Sequence, residues 1–230
     1  MDCITDAKIC IQVSDSMLKN IEKIYNESLL NDSMPSTLKV TIKNFLENIR
    51  SSLEYITNYV FYTYCAKNYT GAELKRKKVY FPIRKDKNYF NKCINKDFRG
   101  LRESNPEIYK ILEKCQAFNG NMWTSYLADL CNKNKHINLT KHRRTESGHI
   151  EYMSDIHGNI FQNCTFINCK HGIVYNNTPI YDSNNPYIKS FEGYINIEYL
   201  FEEINQPILL VINDIYNGAV SVIDEFEKIL

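Results

Sequence analysis

The sequence predicts an α+β, mainly α fold, on three observations. Apolar residues recur with a 3.6-residue period through residues 1–137 and again near the C-terminus. Between residues 138 and 190 the period drops toward two, with short apolar runs separated by Gly and Asn turn signals. At 230 residues and 43% apolar content, the chain is large enough for a substantial core. The expected organisation is a helical bundle over 1–137, a β-rich insertion over 138–190, and a C-terminal helical segment over 191–230 completing the bundle. A terminal helix must bury its apolar face somewhere, and the N-terminal helices offer that surface.

Each element has a local reason. Ile11, Met17, Leu18, Ile21, Ile24 and Tyr25 mark a first helix over about 8–30. Asp32, Ser33 and Pro35 break it, and Ser36 is placed to cap a second helix. Ile42, Phe45, Leu46, Ile49, Leu53, Ile56 and Val60 form the clearest helical stripe, expected to run to about Lys67. The Lys75–Lys78 cluster reads as a solvated basic loop. Val79–Ile83 reads as extended, because Pro82 is incompatible with a helix interior. Shorter helices follow over about 86–96 and 106–117, the latter with Pro106 in its first turn.

The next helix, over about 121–137, carries the most informative run, Leu127 to Ile137. At about 100° per residue, Trp123, Leu127, Leu130, Asn134 and Ile137 share one face. Ser125, Asp129, Asn132 and His136 lie opposite, with Lys135 at the edge. Asn132 and His136 are four apart, so their side chains can meet. On the second helix Glu47, Glu54 and Asn58 form a polar face flanked by Arg50. Arg50 and Glu54 are spaced for an ion pair, and the plain expectation is a solvated one.

The strand signals include Ile150, Tyr152, Ile160, Phe166, Val174 and Tyr175. Turns are expected at Ser147-Gly148, His157-Gly158-Asn159, His171-Gly172 and Asn176-Asn177, giving an antiparallel meander. Tyr199–Ile204 is expected as a short helix. Pro207 opens the last one, with Ile208, Ile212, Ile215, Ala219, Ile223, Phe226 and Leu230 on one side.

Charge nearly cancels, with 28 Lys+Arg against 27 Asp+Glu, so no global field points to nucleic acid. The first residues lack a basic region followed by an apolar core, and Ile208–Ile212 is too short to span a bilayer. The expectation is a cytoplasmic protein with no membrane partner. Its eight cysteines are scattered and read as free thiols. Cys164, Cys169 and His171 have a zinc-like spacing but no fourth ligand, so neither metal nor cofactor is expected. Lys141–Arg144 reads as a second solvated basic loop. Arg144 and His149 span the expected Ser147-Gly148 turn, so no joint role is assigned to them.

Several pieces stand in a particular order. Asn48–Ile56 contains an R-x-x-L-E-Y run on a long helix. Phe81-Pro82-Ile83, Ile108–Gln116 and Asn132-x-x-Lys135-His136 follow. This series resembles a group of uncharacterised bacterial proteins similar to HEPN-type helical proteins, and the resemblance covers most of the chain. It implies a HEPN-like helical bundle with an antiparallel β insertion and a C-terminal helix. It also implies a homodimer, and RNA as a partner in defence or toxin–antitoxin systems. Many such proteins are metal-independent ribonucleases with an arginine four to six residues before a histidine on a late helix. Here Asn132 and Lys133 occupy the arginine's place. Lysine offers charge to a phosphate but no planar fork. That departure favours a binding or regulatory module over an enzyme. For the ribonuclease alternative, His136 is the general acid or base, Lys135 stabilises phosphate charge, Asn132 orients them and Glu54 supports the array.

Overall fold

A computed structural model describes residues 3–31, 33–136, 139–182 and 184–230, with residues 133–136 described by their backbone alone. The chain forms two compact units. One comprises Met1–Ile24, Ser36–Thr140 and Leu209–Leu230, and the other Tyr25–Pro35 and Lys141–Ile208. Helix dominates the chain, an antiparallel sheet follows, and a long C-terminal helix ends it. Among the described residues no helix is long and apolar enough to cross a membrane.

The first unit holds most of α1 (Cys3–Ser28), α2 (Ser36–Val60), α3 (Gly71–Arg76), α4 (Lys87–Asp97), α5 (Leu101–Ser104), α6 (Pro106–Lys114) and α7 (Met122–His136). The α2 stripe read from the sequence is buried throughout, from Ile42 to Val60. The helical path continues past Val60, but as a π-helical turn over Phe61–Cys65 and a 3-10 turn over Ala66–Asn68. The Lys75–Lys78 cluster is not wholly a loop. Thr70 and Glu73 form a reciprocal capping box that starts α3, so Lys75 and Arg76 occupy its last turn. Side chains also cap the next helices. Asp86 accepts from the Asn88 and Tyr89 N–H groups at 2.8 and 3.1 Å, and Asn105 accepts from the Ile108 N–H at 3.2 Å. Pro106 sits in the first turn of α6.

Helix α8 (Ile208–Glu227) buries Val211, Ile212, Ile215, Ala219, Ile223 and Phe226. Trp123 of α7 lies flat against Gly218 of α8: a Cβ there would stand 2.5 Å from the indole. Alanine improves helix propensity by about 1 kcal/mol over glycine, but overpacking a rigid ring costs about 1–3 kcal/mol. Gly218→Ala is therefore expected to lower the urea midpoint despite its better propensity. A raised midpoint would show that the indole shifts freely.

The second unit is a four-stranded antiparallel sheet in the order β2-β1-β5-β6, formed by β1 (His142–Asp155), β2 (Ile160–Cys169), β5 (Ile188–Phe201) and β6 (Gln206–Pro207). A separate small hairpin joins β3 (Val174–Tyr175) to β4 (Thr178–Pro179). Its turn is Asn176-Asn177, both in the left-handed region at φ 48° and 61°, where asparagine is tolerated well. Ile150, Met153, Ile180 and Ile188 form the unit's core, with Phe166, Ile173, Tyr175 and Phe191 packed on it.

Asp155 ends β1 and organises the turn into β2, accepting from Asn159 Nδ2 and from the His157 and Asn159 N–H groups. The Asn159 amide, foremost among these donors, helps hold its carboxyl below the usual range. Near the end of β5, the Tyr199 hydroxyl donates to the Ser28 carbonyl at 2.7 Å. Its N–H donates to the Tyr25 hydroxyl oxygen at 3.0 Å, and the two rings meet edge-on.

Two expectations are corrected here. Tyr199–Ile204 is not a short helix, because β5 runs through Phe201 and a turn over 202–205 joins it to β6. The three-residue apolar run Tyr199-Leu200-Phe201 does not distinguish helix from strand. Pairing of Arg144 with Tyr199 and of His142 with Phe201 across the ladder decides it. Nor is Ser147-Gly148 a turn, since β1 passes straight through it with a bulge. A Cβ on Gly148 would lie 2.4 Å from the Tyr194 carbonyl oxygen and 2.7 Å from the Phe166 ring. The glycine permits close approach within the sheet.

Candidate functional site

Arg50 and Glu54 stand one turn apart on α2, beside its buried stripe. Arg50 Nε lies 3.1 Å from Glu54 Oε1, with the two side chains only 19% and 20% exposed. This is not the solvated pair expected from spacing. The second carboxylate oxygen, Oε2, accepts the Phe81 N–H at 2.9 Å. One glutamate therefore orients a guanidinium and pins the extended segment that follows α3.

That segment is held from its other side as well. Val79, Phe81 and Pro82 are buried while Tyr80 is exposed. Gln116, fully buried just after α6, donates through Nε2 to the Pro82 and Leu112 carbonyls, both at 2.7 Å. Its Oε1 accepts the Arg84 N–H at 2.8 Å. The carboxamide replaces hydrogen bonds that a proline-containing strap cannot find in a sheet.

Between strap, α2 and α7 lies a cavity of about 210 Å³, lined among others by Arg50, Lys78, Arg84, Asp97 and Asn132. Asp97 is engaged by Lys77 at 2.6 Å. Cations thus outnumber acids around the groove, and Asn132 adds a neutral hydrogen-bonding group. Asn132, which is exposed, and Glu54, which is half-buried, both read from the sequence, stand on the two helices that flank this groove. Lys135 and His136 occupy the last two positions of α7; their side chains, like that of Asn134, lie outside the described residues, as does Ile137. On the described part of α7, Trp123, Leu127 and Leu130 are buried as expected, and so is Ser125, which was assigned to the polar face.

Arg84, Lys78 and Gln116 were not singled out from the sequence as site residues. Arg84 and Gln116 are separated by 32 positions, and neither periodicity nor a motif links them. The available signal was Pro82, which required side-chain partners for the strap. Burial pushes the Cys65 thiol up to about 11 and the Cys115 thiol up to about 12, which makes both poor nucleophiles at neutral pH.

The second unit overturns the reading of Lys141–Arg144 as a solvated loop. Arg144 is in β1 and buried, forming an ion pair with the fully buried Glu146. His149 is instead bonded to Thr165 Oγ1 at 2.8 Å. The thiols of Cys164 and Cys169 donate to the carbonyls two residues before them, while His171 lies 3.6 Å from Glu146. Among the described residues no three His, Cys, Asp or Glu side chains converge as metal ligands. Among the described residues no cysteine is in a disulfide.

These features define a mainly helical protein with an antiparallel sheet and a basic, proline-strapped groove. Comparison with protein-family models, with curated proteins and with solved structures yields no match to this chain.

Proposed function

We propose that this chain is a HEPN-like, non-catalytic binding module whose groove between α2 and α7 holds the phosphodiester backbone of single-stranded RNA. The carrying observation is the clamp of Glu54 on both Arg50 and the Phe81 N–H, beside a cavity that Lys78, Arg84 and Asn132 also line. A pre-oriented guanidinium loses little freedom on meeting a phosphate, and flanking cations add counterion release. The module acts in the reducing cytoplasm, a setting that suits free thiols, and forms a homodimer through the polar face of α7.

A second reading, a metal-independent ribonuclease, is favoured by one feature. Asn132 lines the groove on the helix that ends with Lys135 and His136. In that case His136 moves the proton of the ribose 2′-hydroxyl, and Glu54 is a positioning residue acting through Arg50.

Fluorescence anisotropy with a labelled single-stranded RNA separates these outcomes. Saturable, salt-weakened binding is expected, reduced about tenfold by either Lys78→Ala or Arg84→Ala. Absence of binding, or variants that bind as tightly as the wild type, overturns the groove assignment. RNA that stays intact supports the binding module. Cleavage by the wild type that disappears in His136→Ala moves the protein to the ribonuclease reading. Light scattering after size exclusion reports whether two chains associate.

A further inference from the structure

The geometry points to a second ligand site, in the sheet unit and independent of the groove: a pocket for a phosphomonoester group at the start of β1. A cavity of about 250 Å³ is lined by Arg143, Arg144, Thr145, Asn168, Lys170 and His171. Among the described residues that line it there is no carboxylate. Glu146, fully buried, is committed to the Arg144 guanidinium and to the Gly172 N–H at 2.6 Å.

Arg144 is held on several sides. Its Nε donates to the Leu29 carbonyl at 2.9 Å, its Nη2 reaches the Tyr181 hydroxyl at 3.3 Å, and the guanidinium lies over the Tyr181 ring. It is therefore a fixed cationic wall. Arg143 and Lys170 stand at the exposed rim, where Arg143 makes one bond, to Asn205 Oδ1 at 3.0 Å. Three permanent cations thus face one buried carboxylate. His171 also lines the cavity; its Nδ1 is buried, makes no hydrogen bond and lies 3.6 Å from Glu146 Oε1.

The uncompensated charge is close to two, which matches a phosphomonoester at neutral pH better than a singly charged carboxylate. The cavity volume suits one phosphate group with its first substituent, so recognition is of the group and not of an entire nucleotide. Low-dielectric walls around Arg144 strengthen the attraction. The same chemistry is offered by a small phosphorylated metabolite and by the 5′-phosphorylated end of RNA.

The test is calorimetric titration of the full chain with inorganic phosphate, AMP and adenosine. Phosphate and AMP are expected to bind saturably and adenosine not to bind. Lys170→Ala and Arg143→Ala are each expected to weaken AMP at least tenfold. Lys110→Ala, which removes an exposed cation of α6 in the other unit, is expected to leave it unchanged. Circular dichroism checks that the variants fold. A 5′-phosphorylated RNA hexamer that binds tighter than its 5′-hydroxyl counterpart, with the difference lost in Lys170→Ala, supports the site with RNA ends as its source, and equal binding of the two hexamers supports it with small phosphomonoesters. Adenosine binding as well as AMP, no saturation at millimolar phosphate, or the same loss in Lys110→Ala as in Lys170→Ala overturns the proposal.

Discussion

Glu146→Ala is expected to destabilise the sheet unit by about 3–5 kcal/mol, the cost of leaving a buried charge without its partner. Glu146 is fully buried and Arg144 is 8% exposed. The substitution would leave Arg144 facing a void and remove the acceptor of the Gly172 N–H. The pair need not stabilise the fold relative to an apolar alternative, since desolvating two charges offsets much of their attraction. The double variant Arg144→Met, Glu146→Leu is therefore expected to recover most of the loss. Urea unfolding, with amide hydrogen exchange along β1, measures both. A loss under about 1 kcal/mol in the single variant would show that Arg144 escapes to solvent.

Gln116→Leu is the second large effect, expected to cost about 2–4 kcal/mol because three polar groups lose a partner together. Leucine fills nearly the same volume, so the loss reports hydrogen bonding and not a cavity. The Arg84 amide is expected to exchange faster, and RNA affinity to fall, because Pro82 to Arg84 form one wall of the groove. A loss under about 1 kcal/mol would mean that Glu54 and the buried Phe81 ring hold the strap alone.

Much of the helical framework was legible in local pattern. The α2 stripe, the Pro106 helix start and the apolar face of α8 follow from spacing alone, because an amphipathic helix records its buried face every three to four residues. Asn176-Asn177 was legible for a different reason: asparagine tolerates the left-handed conformation that a tight hairpin needs. The π turn after Val60 was not legible, since its apolar residues continue the helical pattern. Nor was the full length of β5, whose end is set by pairing with β1 nearly sixty positions away, as in His142 with Phe201.

The candidate site divides in the same way. Asn132, Glu54 and Arg50 could be placed on polar helix faces from periodicity, and Lys135 and His136 on the same helix as Asn132. Whether those faces were solvated or built into a groove depended on contacts between residues far apart in the chain. Glu54 meets Phe81 across 27 positions, Gln116 meets Arg84 across 32, and Arg144 meets Leu29 across 115. Pattern along the chain reports which side of an element is apolar, because burial of that side drives the element to form. It does not report which polar groups are enclosed together. That depends on where buried donors and acceptors find partners once the elements pack, which is why Arg50 and Arg144, both in stretches that read as solvated, are ion-paired and largely withdrawn from solvent.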